Sequence, residues 1–296
     1  MKIAILLSSY NGENYINKQL ESIFMQNCKD EIILCIRDDG STDDTLNIIN
    51  FWKNKLNIIL FCGNNIGPRD SFKELLVTAP NSDFYCFCDQ DDIWHYDKLA
   101  SAVKILGSYK NNIPLLYFSN ISLVDKQGKL IKENRDLFFP QLNYRSLLVK
   151  NPAPGCTMMF NHELRLALMK VNFDYFFMHD VVAVEVASII GKIVYDSKSR
   201  VDYRQHSESV TQGHNKIKNL LNKINFWFFQ KNISICKQAN ELLRLFPNNL
   251  EKIALEDVCK YRKGLNRFKL AFNRKYRSDD SKCNRSFVIR ILFGIA

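Results

Sequence analysis

The chain has 296 residues, 46% apolar, 12% aromatic and 24% charged, enough apolar mass for one large α/β domain with an appendage and too much for a disordered chain. Its net charge of +10 is unevenly placed: residues 214–296 hold 18 Lys and Arg against 6 Asp and Glu, a net +12, which leaves the first 213 residues at −2. Nine cysteines, odd in number and without a C-x-x-C pair, sit mostly inside apolar runs, which favours a reducing compartment and argues against structural zinc. The apolar start Ile3–Leu7 is too short for a secretory signal, and no tract approaches the ~18 apolar residues of a membrane span, so a cytoplasmic location is expected.

The first apolar run, residues 2–7, ends at Ser8-Ser9-Tyr10-Asn11-Gly12 and reads as a buried strand entering a turn. Residues 14–27 place Ile16, Leu20, Ile23 and Phe24 at helical spacing; residues 31–36 form a second strand that stops at Arg37-Asp38-Asp39-Gly40-Ser41. A helix over 42–53, a strand over 58–62, a helix over 71–77 and a strand over 84–88 follow. Strands alternating with helical crossovers predict a mostly parallel sheet covered on both faces. In such sheets ligands bind at the carboxyl ends of the strands, where the acidic clusters at 38–39 and 89–92 fall. The body is expected to span 1–213 and a basic, aromatic-rich helical region 214–296.

Asp89-Gln90-Asp91-Asp92 places three carboxylates directly after an apolar run, where mutual repulsion calls for a cation. Hard oxygen donors without an adjacent His or Cys favour Mg²⁺ or Mn²⁺ over zinc; a solvated acidic turn before the helix near Asp97 is the plainer alternative. Asp38-Asp39-Gly40-Ser41-Thr42-Asp43 could equally be a turn with an N-cap. His162-Glu163 opens a metal-binding pattern, but Leu166 stands where its second His belongs; neither a GxGxxG nor a P-loop is present.

Taken in order, Ser8-Ser9-Tyr10-Asn11, Asp38-Asp39-Gly40-Ser41 and Asp89-Gln90-Asp91-Asp92 resemble the nucleotide-sugar site of family-two glycosyltransferases of the GT-A fold. The resemblance continues through Asn64–Gly67, Phe72, Asn151–Thr157, His179-Asp180 and Tyr203-Arg204-Gln205-His206, and is strongest to the rhamnosyltransferase-like bacterial branch that builds surface polysaccharides. It implies an inverting enzyme that moves a sugar from dTDP-rhamnose or a UDP-hexose to a saccharide, in particular a lipid-linked one, in O-antigen or capsule synthesis. Carried over by position, Ser8, Tyr10, Asn11, Asp38, Asp39 and Gly67 bind the nucleotide sugar together with Asp89, Gln90 and Asp92; Asp91 and Asp89 hold the metal, Asp91 more directly. Asp180 is implied as general base, with an N-cap as its bland alternative, while Arg204 and His206 would stabilise the departing diphosphate. The chain departs from the branch at Ser209 and Gln212, which stand where Asn and Gly are usual, and at Pro152 and Pro154.

From Ile217, apolar residues recur at 220, 221, 224 and 228 beside Lys216, Lys218, Lys223 and Lys231, with aromatic bulk at 226–229. This reads as an interfacial helix for the inner membrane surface, or as an amphipathic helix packed on the body or on a second subunit. The basic region also motivates a contrasting reading, a non-catalytic nucleic-acid-binding protein. No nucleic-acid motif accompanies the charge, so no nucleic acid partner is expected.

Overall fold

In a computed structural model of the chain, residues 1–110, 112–136, 139–205 and 234–294 are described. The expected alternation is present: β1 (Lys2–Ser9), α1 (Ile16–Phe24), β2 (Glu31–Asp38), α2 (Thr45–Trp52), β3 (Ile58–Cys62), α3 (Pro68–Thr78) and β4 (Phe84–Asp89). Three of these strands outrun their apolar cores by one or two residues because the parallel ladder continues into the polar ends. Ser9 pairs with Asp38 on β2, and Ser8 pairs with both Arg37 on β2 and Asp89 on β4. Register alone therefore gathers the three polar motifs at one edge of the sheet.

The first four strands pair in parallel, as expected, in the order β3-β2-β1-β4, but beyond β4 the sheet is mixed. Added there are β5 (Ile93–Trp94), β6 (Leu115–Val124), β7 (Leu130–Lys132), β8 (Met159–Asn161) and β9 (Lys192–Arg204). The order continues β8-β6-β9-β5, with β8 antiparallel to both neighbours and β9 parallel to β6. Alternation along β1 separates two cores: Ile3, Ile5 and Leu7 face α1, α2 and α4 (Lys98–Leu106), while Ala4 and Leu6 face the opposite side. That opposite side holds α3, α5 (Tyr144–Leu147), α6 (His162–Leu168) and α7 (His179–Ile190).

Four further helices, α8 (Ile235–Leu245), α9 (Lys252–Lys260), α10 (Asn266–Phe272) and α11 (Ser281–Phe293), complete the described chain. They join the α5–α7 core through Ile235, Leu242, Leu255, Tyr261 and Phe287. The Arg145–Glu251 ion pair at 2.6 Å and the Leu250 N–H donated to the Ile189 carbonyl at 2.8 Å fix the junction. The apolar C-terminal stretch thus buries Phe287 and Ile291 against the body. No helix among the described residues is long and apolar enough to cross a membrane. His206, Ser209, Gln212 and the interfacial helix expected from Ile217 lie outside the described residues.

Candidate functional site

The carboxyl ends of β1, β2 and β4 open into a cavity of about 1060 Å³, closed on the far side by residues 151–155 and the start of α7. Ser8, Tyr10, Asn11, Asp39, Gly67, Asp89, Gln90, Asp91 and Asp180 all line it. The end of the cavity next to β1 and β2 is built from backbone turns that these side chains stitch together. Asn11 adopts a left-handed φ of 46° and its Oδ1 accepts the Thr42 N–H at 2.9 Å, tying the end of β1 to the turn after β2. Gln90 spans from β4 to β1, donating to the Tyr10 carbonyl and accepting the Tyr10 N–H, each at 2.9 Å. Gly12 lies beside it; a Cβ there would fall 2.2 Å from the Gln90 Oε1, so a larger residue would displace that amide from Tyr10.

Each pair of neighbouring aspartates divides its work. Asp39 lines the cavity, pairs with Arg37, and accepts the N–H groups of Ile66 and Gly67 at 2.9 Å each. Gly67 needs no side chain for this and takes a φ of 83°, just ahead of Pro68 at the first position of α3. Asp38 does not reach the cavity: Ser9 Oγ donates to it at 3.0 Å, and Ser41 donates from its N–H at 2.8 Å and its Oγ at 2.6 Å. Both of its oxygens are thus engaged inside the fold, where Asp38 builds the turn after β2.

Asp89 and Asp91 face the cavity, whereas Asp92 is buried beneath it, accepts the Arg204 N–H at 3.1 Å and lies beside the Cys156 thiol. Asp92 thus anchors β9 under the acidic loop. Burial, then the charges of Asp91 and Asp180, push the Asp89 carboxyl up to about 8. Arg135 is the one Lys or Arg among the described residues lining the cavity. Its Nε and Nη2 are taken by Asp136 and the Pro152 carbonyl. Hard carboxylate oxygens gathered at one strand end, where the charge of one raises the proton affinity of the next, suit a divalent ion such as Mg²⁺ or Mn²⁺.

Arg204 stands behind the acidic loop. It is 3% exposed, and its guanidinium donates to the Asp91 carbonyl at 2.8 Å and to the Lys126 carbonyl at 2.5 Å. Those bonds make it the pin between the acidic loop and the β6–β7 turn. Tyr203 and Gln205 flank it and line the cavity instead.

On the opposite wall, α7 begins at Met178 without a side-chain cap, and Asp180 stands in its first turn. Asp180 Oδ1 accepts the Val181 N–H at 2.7 Å, leaving Oδ2 for the cavity, and burial raises the group to about 6. His179 is locked behind it, its ring 3.8 Å from that of Phe72 and 4.6 Å from that of Phe87. Burial holds that imidazole neutral, down at about 3. Gly155 makes room for it, for a Cβ there would lie 2.5 Å from Nε2. Sequence reasoning missed Arg135, which stands in a polar loop after a three-residue strand and carries no local signature.

A sequence profile described as Glycosyl transferase family 2 matches residues 4–164, the segment that holds β1, β2, β4 and the acidic loop. Over 222 residues the chain is 31% identical to the dTDP-rhamnosyl transferase RfbG of Shigella flexneri, covering 69% of this chain and 72% of that protein. It is 26% identical over 231 residues to the UDP-Glc:alpha-D-GlcNAc-diphosphoundecaprenol beta-1,3-glucosyltransferase WfaP of Escherichia coli, covering 75% and 84%. The S. aureus TarS 1–349 structure in complex with UDP-GlcNAc superposes with a TM-score of 0.60 at 19% identity, covering 100% of this chain and 80% of that one, which supports the fold. The profile spans more than half of the chain and the relatives cover 69% and 75% of it, so the strand-end motifs and the fold share one explanation: the protein is a glycosyltransferase of family 2.

Proposed function

We propose that the protein is an inverting glycosyltransferase that moves a sugar from a nucleoside-diphosphate donor, dTDP-rhamnose or a UDP-hexose, to a lipid-linked saccharide at the cytoplasmic face of the membrane. The observation that carries this reading is the placement of Asp180 across one cavity from Asp89 and Asp91. Similarity to a rhamnosyl transferase and to a glucosyltransferase acting on a diphosphoundecaprenol-linked sugar supports the two donor classes and the acceptor.

Asp39 retains a lone pair on Oδ2 after accepting Gly67 and suits the N3–H of a uracil or thymine ring. Tyr10, with nearly half its surface exposed at the cavity rim, offers a face to that ring. Asp89 and Asp91 would hold the Mg²⁺ or Mn²⁺, which supplies Lewis-acid neutralisation of the diphosphate. Asp180 takes the proton of the acceptor hydroxyl. The freed oxygen forms its bond to the anomeric carbon on the face opposite the diphosphate, and the electron pair of the broken C–O bond leaves with the diphosphate. One displacement inverts the configuration and leaves no sugar on the enzyme. Asp180 is suited to this because a carboxylate raised to about 6 is ionised at neutral pH yet more basic than an ordinary one.

Screening donor hydrolysis across dTDP- and UDP-sugars, followed by NMR of the glycosidic product, tests the proposal. A preference for dTDP-rhamnose or one UDP-hexose with inverted configuration is expected; a product of retained configuration would overturn the mechanism.

A further inference from the structure

We propose that the outer face of α10 and α11 is a docking surface for anionic phospholipid, distinct from the sugar-transfer cavity. Leu265, Phe268 and Phe272 recur at spacings of three and four and therefore share one face of α10; they are 73%, 53% and 62% exposed. Ile289 and Phe293, one turn apart on α11, are 53% and 74% exposed. The two apolar strips adjoin: Arg267 Nη1 donates to the Leu292 carbonyl at 3.2 Å, and Arg262 Nη2 donates to the Gly294 carbonyl at 3.3 Å. The tip of α11 is thereby held against the start of α10. These are large side chains left in water by helices whose other faces bury Leu270, Ala271, Phe287 and Ile291 in the core.

Charge selects the occupant. No Asp or Glu occurs between Val258 and Ser278, while Lys263, Lys269, Arg274 and Lys275 in that stretch are exposed. A second copy of the chain would set like charges against one another, which opposes self-association. A nucleic acid would satisfy the cations but leave Leu265, Ile289 and their apolar neighbours in water. An anionic bilayer satisfies both, the rings entering the headgroup and acyl boundary and the cations meeting lipid phosphates.

The surface also stands in a useful relation to the cavity. At the other end of α11, Lys150 Nζ lies 3.5 Å from Asp279 Oδ1, and the neighbouring Asn151 lines the cavity. A 13-residue helix of about 20 Å separates that rim from the apolar tip. Docking through the tip would hold the acceptor side of the cavity within reach of a lipid headgroup.

The experiment is flotation of the full chain with phosphatidylcholine vesicles, with and without phosphatidylglycerol, at low and high salt. Expected is flotation with the anionic vesicles alone, reduced by salt. The Phe268→Ser/Phe272→Ser variant should float at least tenfold less, and so should Lys269→Glu/Arg274→Glu, both with wild-type melting temperature and donor hydrolysis. All four side chains are exposed, so neither variant disturbs the core, and the charge variant tests the surface independently of the apolar one. Equal flotation of both variants and wild type, or no flotation of wild type, would overturn the proposal. So would light scattering that shows a wild-type dimer made monomeric by the phenylalanine variant, or RNA binding in place of vesicle binding.

Discussion

Replacing Asp180 with Asn separates chemistry from architecture. Asp180 is not the N-cap of α7, a place held by Met178, and its hydrogen bond from the adjacent Val181 N–H at 2.7 Å is one that an amide oxygen also accepts. What the amide loses is the basic oxygen, so kcat should fall by ~10²–10⁴, the usual worth of a general base, with donor affinity nearly unchanged. Stability should move the other way. Burial raises the carboxyl from 3.8 to about 6, so the native side chain binds its proton more tightly than the unfolded one does. The wild type is free of the resulting penalty below about pH 4, accumulates it as pH rises toward 6, and bears it in full above. A shift of about two units corresponds to about 3 kcal/mol, reduced to ~1–3 kcal/mol by solvent at the cavity wall. Without donor and in chelator, Asp180→Asn should therefore melt higher than wild type at pH 7.5 and level with it at pH 4. Steady-state kinetics with saturating acceptor, alongside calorimetric melts at both pH values, make the measurement. A melting temperature that falls with the activity would return Asp180 to a structural role, and unchanged turnover would remove it from the mechanism.

Asp91→Asn keeps shape and removes one cavity charge, so donor turnover should collapse and cease to respond to Mg²⁺ or Mn²⁺, with Mn²⁺ binding by calorimetry weakened at least tenfold; full activity in excess chelator would sink the assignment. Gly155→Ala puts a methyl 2.5 Å from His179 Nε2, and the ring cannot retreat between Phe72 and Phe87. The start of α7 should shift, lowering kcat ten- to hundredfold and stability by ~1–3 kcal/mol; wild-type kinetics would show that His179 does not position Asp180. Arg204→Lys leaves an ammonium that cannot span the Asp91 and Lys126 carbonyls, so stability should drop by ~2 kcal/mol, with a smaller loss of turnover than in Asp91→Asn. An unchanged melting temperature would argue against the pinning role.

The parts of the site that were legible in the sequence are those where one chain segment carries its own signal. Apolar runs that stop at Ser8, Asp38 and Asp89 announce strand ends, and parallel register then brings them together without further information. The second half of the sheet was not legible, since β8 has only three residues and β9, KIVYDSKSRVDYR, mixes charges into a strand half shielded by its neighbours. Within each acidic cluster the sequence offers adjacent aspartates of one chemistry. Which of them faces the cavity follows from what surrounds it: Asp38 is claimed by Ser9 and Ser41, Asp92 by Arg204 and Cys156. Arg204 shows the deeper reason. Its partners are the main-chain carbonyls of Asp91 and Lys126, and a carbonyl has no residue code, so a cation near a diphosphate site reads as a ligand contact until the fold shows where its donors go. Arg135 inverts the case: an arginine in an unmarked loop reads as solvated until the fold brings it to the cavity wall, with Asp136 and the Pro152 carbonyl orienting it. Charge type can be read along the chain, but the direction of a charge is settled by the backbone around it, and direction is what separates a group that meets substrate from one that holds the wall in place.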